Sequence, residues 1–333
     1  MNKNAFSFIR AVVLGSLILG GGSVSAASPS KPAEIKAVLW ISPGRSISKN
    51  VETVFVDMVK KKSNGELVIN IAGGPEVIPK TEQVQACSDG IIDMVFAVTG
   101  EYHQVVPQVS ALHLSPTTPW ADRTNGIYDY WVNIHKKHKL YYLGRWNYDM
   151  NFVFHLRKKS ISSRSEFKGL KIAPTGRLDK VVEALGGVNV EVGGREMYGA
   201  MEKGLLDGYV WSDSGRLSSW KEVTKSVVDH PVLSAATFTI VMNEKKFNSL
   251  PKHLQDALTA AAAEYEPIMA KYYADLKKKE EQEWKGAGIN FIKLSPEEGR
   301  WITESGPTFA WEMVKKIVGP ESYTQLRKVL LRQ

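Results

Sequence analysis

A single cysteine, Cys87, is the only thiol in 333 residues, so no disulfide can form within the chain. Small exported domains usually need such staples, whereas a chain of this length buries a core large enough to do without them. Cys87 sits in the run Gln83-Val84-Gln85-Ala86-Cys87-Ser88-Asp89, which reads as a helix stopped at Gly90 and offers no partner for a nucleophile or metal ligand. Long apolar runs are lacking beyond the N-terminus, which predicts a water-soluble chain without membrane-spanning helices. Clustered metal ligands are lacking too: His135 and His138 stand three apart amid Lys136, Lys137 and Lys139, the pattern of a solvated helix face. Ser212 is not framed by the Gly-x-Ser-x-Gly elbow of a hydrolase, and Gly193-Gly194 alone makes no phosphate loop. No cofactor is implied, and an exported hydrolase remains only as the alternative class.

The charge is mildly one-sided. The net +8 includes Lys3 and Arg10, and no acid precedes residue 27, so the remainder carries +6. Basic residues alternate with acidic ones, as in Lys277-Lys278-Lys279-Glu280-Glu281, rather than gathering with aromatics, which argues against nucleic-acid binding. The N-terminus is organised differently. Lys3 and Arg10 form a basic start, residues 11–19 are apolar, and Val24-Ser25-Ala26 supplies small residues for cleavage. Residues 1–26 read as a signal peptide cleaved near Ala26, and export without disulfides predicts a periplasmic location.

From residue 35 onward, apolar strand-like runs alternate with segments of helical spacing. Strands at 35–41, 67–71 and 91–98 enclose helices at 51–63 and 81–89, a rhythm that builds mostly parallel sheets. After a proline-rich connection, 123–138 reads as a helix, then 140–146 and 151–157 as strands. The second half repeats the alternation with strands at 170–173, 188–192 and 206–211. Pro251 opens a long helix over 251–284 with an apolar stripe through Leu254, Leu258, Ala261, Tyr265, Ile268, Tyr272 and Leu276. At about 1.5 Å per residue it spans roughly 50 Å, enough to lie across two lobes.

The phrases Phe167-Lys168-Gly169-Leu170-Lys171-Ile172 and Glu196-Met197-Tyr198-Gly199-Ala200-Met201-Glu202-Lys203-Gly204-Leu205-Leu206-Asp207-Gly208, with Ala184-Leu185-Gly186-Gly187, Leu250-Pro251 and Gly288-Ile289-Asn290 in order, resemble the solute-binding subunits of tripartite ATP-independent periplasmic (TRAP) transporters of the DctP type. The resemblance covers nearly all of the chain beyond the leader. It implies an α/β, two-lobed periplasmic binding protein fold, type II-like, with hinge strands and a long helix bridging both lobes. It also implies a non-enzymatic receptor that takes a small solute into the interlobe cleft and delivers it to integral membrane permease subunits. The expected division is 27–150 with about 238–283 for lobe I, and 151–237 with about 284–333 for lobe II.

In members of that family an arginine follows the Gly-Leu-Lys-hydrophobic phrase and grips the solute's carboxylate with a paired fork. Ala173 stands there in this chain, and a second such arginine would fall near Val153. Two directions stay open. Trp40, Trp146, Tyr148 and Trp211 lie at or after strands, with Asp149 and Asp213 close by, and aromatic faces with a carboxylate suit a small cationic amine or alcohol-amine. Alternatively Arg177, Arg216 or Arg45 grips an organic acid from a new direction.

Overall fold

The computed structural model describes residues 31–146, 149–175, 178–194, 196–235 and 237–332. The leader expected at 1–26, and the site candidates Tyr148 and Arg177, lie outside the described residues. Among the described residues no helix is long and apolar enough to cross a membrane.

The strands are β1 (Ala33–Leu39), β2 (Leu67–Gly73), β3 (Met94–Val98), β4 (Leu140–Arg145), β5 (Asn151–Leu156), β6 (Lys171–Ala173), β7 (Val188–Asn189), β8 (Gly208–Ser212), β9 (Ser226–Ser234), β10 (Phe238–Asn243) and β11 (Asn290–Ile292). They form two sheets, ordered β2-β1-β3-β10-β4 and β11-β9-β5-β8-β6-β7. In the first, β1 runs parallel to β2 and β3, while β10 is antiparallel to β3 and β4. Val38 packs into one apolar cluster while Ile35, Ala37 and Leu39 pack into another, so β1 is buried on both faces and its apolar residues form a run.

Three connections pass between the sheets: β4 to β5, β9 to β10, and the helical link from β10 to β11; the first two run side by side. Trp146 N donates to Phe238 O at 3.0 Å and Ala235 N to Met150 O at 2.8 Å. These paired strands are the hinge of a two-lobed molecule.

The bridging helix spans Lys252–Gly286. Its early turns insert Leu254, Leu258, Ala261 and Tyr265 among Val51, Phe55, Phe96 and Ile240 of the first lobe. Its last turns reach the second lobe, where Trp284 packs with Val153, Tyr209 and Val227. Midway, Glu266 pairs with Arg123 at 2.6 Å. The pair passes close over Gly144, whose φ is 154°, and a Cβ there would stand 2.6 Å from Glu266 Oε1. Only glycine accepts both the torsion and the contact.

A second long helix, Pro296–Leu331, is interrupted at Gly319 (φ 76°, ψ 171°) ahead of Pro320. It packs along β9, where Gly306 lies directly against Val232 O, and against Pro107–Leu114 beside the first sheet.

Three local expectations shift. The helix expected over 123–138 starts only at Ile127, because Gly126 (φ 86°) separates it from a short turn, Pro119–Asp122, capped by the Thr118 hydroxyl. The strand expected over 188–192 shortens to β7, Val188–Asn189. His135 is fully buried rather than solvated. Its Nδ1 lies 2.7 Å from Trp131 O and its Nε2 3.3 Å from Tyr102 Oη, and burial holds its pKa down at about 4. Cys87 is buried as expected, and burial pushes its thiol well above the usual range.

Candidate functional site

A cleft of about 810 Å³ opens where the ends of β1 and β2 face β8 and the bridging helix. Trp40, directly after β1, and Ser42, Gly44 and Arg45 form one wall, with Pro75 and Lys80 beyond β2. Trp211 of β8 and the loop residues Gly215 and Leu217 form the opposite wall, and Tyr272, Tyr273 and Leu276 line the helix side. The first wall is closely packed and braced by hydrogen bonds. Gly74 packs so closely on Ile41 that a Cβ would sit 2.7 Å from its carbonyl oxygen. Glu76 Oε1 accepts from Gly74 N at 2.6 Å and its Oε2 from Ser42 Oγ at 2.7 Å, while Glu52 Oε1 accepts from Gly44 N at 2.9 Å. The Ser42 hydroxyl, then two backbone amides, hold the Glu76 carboxyl below its ordinary pKa.

The aromatic walls are backed by further rings. Trp40 packs on Phe238 at 4.7 Å and on Trp146 at 5.5 Å, and Trp146 stacks on Phe238. Trp146 is thus fully buried behind Trp40 and is not among the described lining residues. Trp211 is half-buried and tilts against Trp220 at 5.0 Å. At the positions where the family's clamp arginines fall, Ala173 is fully buried and Val153 nearly so, in one apolar cluster with Trp211, Tyr209 and Trp220.

The charged candidates separate into exposed and buried sets. Arg45 is exposed on the cleft rim, as is Lys80, which the sequence reading did not single out. Asp149 is exposed, in the left-handed region at φ 58°, and its Oδ1 accepts from Asn151 Nδ2 at 3.0 Å. Asp213 is buried; its Oδ1 accepts from Asn151 N at 2.9 Å and its Oδ2 lies 2.5 Å from Lys277 Nζ on the bridging helix. Burial pulls the Lys277 ammonium down, but Asp213 outweighs it and the pKa is raised. Arg216 is buried under the same helix. Its backbone N donates to Glu280 Oε2 at 3.2 Å, its Nη1 lies 3.8 Å from that oxygen, and its guanidinium faces Trp284 at 5.5 Å and Phe291 at 5.6 Å. Burial lowers its pKa and raises that of Glu280. Asp149, Asp213 and Arg216 are not among the described residues that line the cleft.

Sequence reasoning missed Tyr272, Tyr273 and Leu276 as cleft residues. Tyr272 and Leu276 belong to the helix's apolar stripe, with Tyr273 beside it; the stripe's first half is core, and only the reach of the helix past the first sheet turns these later residues toward the cleft.

A smaller cavity of about 310 Å³ lies between Val98–Glu101, Ser110, His113 and the second-sheet residues Phe152 and Leu233. Among the described residues no group of three or more His, Cys, Asp or Glu side chains is placed to hold a metal ion.

Two lobes, a paired hinge, a shared helix and an aromatic interlobe cleft define the class of two-lobed solute-binding proteins. The profile of the family described as bacterial extracellular solute-binding protein, family 7, matches residues 39–313, and the chain belongs to that family, a TRAP-type periplasmic solute receptor. Its fold is shared with a TRAP periplasmic solute-binding protein from Ochrobactrum anthropi, whose C-terminus occupies the ligand-binding pocket: TM-score 0.76, 18% identity, 91% of this chain and 96% of that one. It is also shared with one from Desulfovibrio salexigens with bound orotic acid, at TM-score 0.71, 18% identity, 90% and 97% coverage. The sugar acid binding protein of Advenella mimigardefordensis in complex with galactonate matches at TM-score 0.68, 18% identity, 91% and 99% coverage.

Proposed function

We propose that this receptor captures a small organic anion in the 810 Å³ cleft, closes its lobes over it and delivers it unmodified to integral membrane permease subunits. One observation carries the sign of the charge: the charged side chains among the described lining residues are Arg45 and Lys80, with no carboxylate. Glu52 and Glu76, the nearest acids on that wall, are occupied by backbone amides and by Ser42. Of the two acids expected to meet an amine, Asp213 is paired with Lys277 and Asp149 is not among the described lining residues. The orotic acid and galactonate in two relatives are in keeping with an acid. In this reading residues 27–150 with 238–283 move as one lobe against 151–237 with 284–333, and Trp40, Trp211 and Arg45 contact the solute while Trp146, Asp213 and Arg216 hold the frame.

A ligand that prefers the closed folded state raises the melting temperature by mass action. A thermal-shift panel of organic acids, amines and neutral polyols is expected to respond to acids alone, and a response confined to amines overturns the anion reading. The double substitution Arg45→Ala, Lys80→Ala is expected to weaken acid binding about tenfold while leaving the melting point of the free protein unchanged. Recovery of chemically altered ligand after incubation would favour the exported hydrolase.

A further inference from the structure

The body of the solute can be read from the cleft walls, given the reading of that cleft as the ligand site. Its lining is aromatic and aliphatic: half-buried Trp211 and Tyr272 stand with Trp40 and Leu276, and Leu217 is 49% exposed at the mouth. Leu217 thus adds open hydrocarbon to the aromatic wall beside Trp211. What the walls lack is equally informative. A sugar acid presents a hydroxyl on nearly every carbon, and each one buried without a partner costs more than its contacts return. Among the described lining residues the neutral hydrogen-bonding side chains besides the indoles are Ser42, which already donates to Glu76, and the hydroxyls of Tyr272 and Tyr273, too few to meet a hydroxyl on nearly every carbon. Behind Trp211, the buried Ala173 and Val153 pack in the same apolar cluster and put no polar group at those positions.

Rings, by contrast, need faces, and indole and phenol side chains on two sides of a cleft supply them. The only full charges among the described lining residues, Arg45 and Lys80, come from the first-lobe wall, across from Trp211 and Leu217. We infer that the solute is an aromatic carboxylate, its ring held among Trp40, Trp211 and Tyr272 against Leu217, and its acid group directed to Arg45 and Lys80.

Indole-3-acetate, trans-cinnamate, galacturonate and phenethylamine separate ring, charge and hydroxyl content, read by titration calorimetry and by quenching of tryptophan fluorescence in the purified chain. The aromatic acids are expected to bind at least about tenfold more tightly than galacturonate or phenethylamine. Leu217→Gln, at a site too open to carry the core, is expected to weaken the aromatic acids about fivefold without moving the melting temperature. Galacturonate binding as tightly as the aromatic acids overturns the aromatic assignment and leaves the receptor reading standing, and a preference for phenethylamine overturns the assignment through its charge. Silence from all four, extended to the wider acid panel, overturns both.

Discussion

Two sets of charges lie within one loop and one helix of each other, and they have opposite environments. Arg45 and Lys80 stand in solvent on the cleft rim. Asp213 and Arg216, just past β8, are buried against Lys277 and Glu280 of the bridging helix. A buried ion pair contributes little net stability because desolvation offsets its attraction, yet breaking one leaves an uncompensated charge in the interior. The buried set therefore fixes where the second lobe meets the helix. An exposed cation carries no such obligation.

The largest expected effect tests the buried set. Arg216→Ala strands the Glu280 carboxylate and is expected to cost about 3 kcal/mol in urea unfolding, with the affinity of the folded fraction for its acid changed by less than about threefold. A tenfold loss of affinity in a stable variant would break the division and make Arg216 a ligand contact. Next comes a titration. His135 is held neutral by burial, with its pKa near 4 in the fold against about 6.5 in an unfolded chain. The unfolded state thus takes up a proton that the folded state refuses, and the stability tied to His135 is complete above pH 6.5 and withdrawn as pH falls to 4. That amounts to at most about 3 kcal/mol, read as the slope of urea midpoints between pH 7 and pH 4. His135→Gln should flatten this slope.

A smaller effect is expected at the cleft. Trp211→Ala should weaken ligand binding about tenfold with the fold retained, since Trp211 is half-exposed; unchanged affinity would move it to the frame. The smallest belongs to the exposed pair Lys271–Asp275 on the outer face of the bridging helix. Lys271→Ala there should leave the melting temperature within experimental error.

Much of this frame could be read in the chain because its signals are local. The apolar runs of β1 and β3 and the stripe from Leu254 to Leu276, spaced by three and four, are local patterns, and these elements appear within a few residues of expectation. β9 was invisible because Pro231 sits inside it. A bulge between the Phe152 and Phe154 pairings lets that residue stay off the ladder. The C-terminal helix was hidden by Pro307 and the Gly319-Pro320 break. Trp40 and Trp211 were found at the cleft because each sits at the carboxyl end of a strand, where clefts form in open α/β sheets. Lys80 and Tyr272 were not, since their place depends on how one lobe meets a helix from the other end of the chain. Asp213 and Arg216 looked like ligand contacts for the same reason: their partners, Lys277 and Glu280, are more than sixty residues away.

The buried thiol also makes this receptor convenient to instrument. With its single cysteine shut inside the first lobe and held protonated, a maleimide dye has no native competitor in the folded protein. A reporter pair at one added cysteine on each jaw would follow closing and opening in real time on an otherwise unaltered sequence.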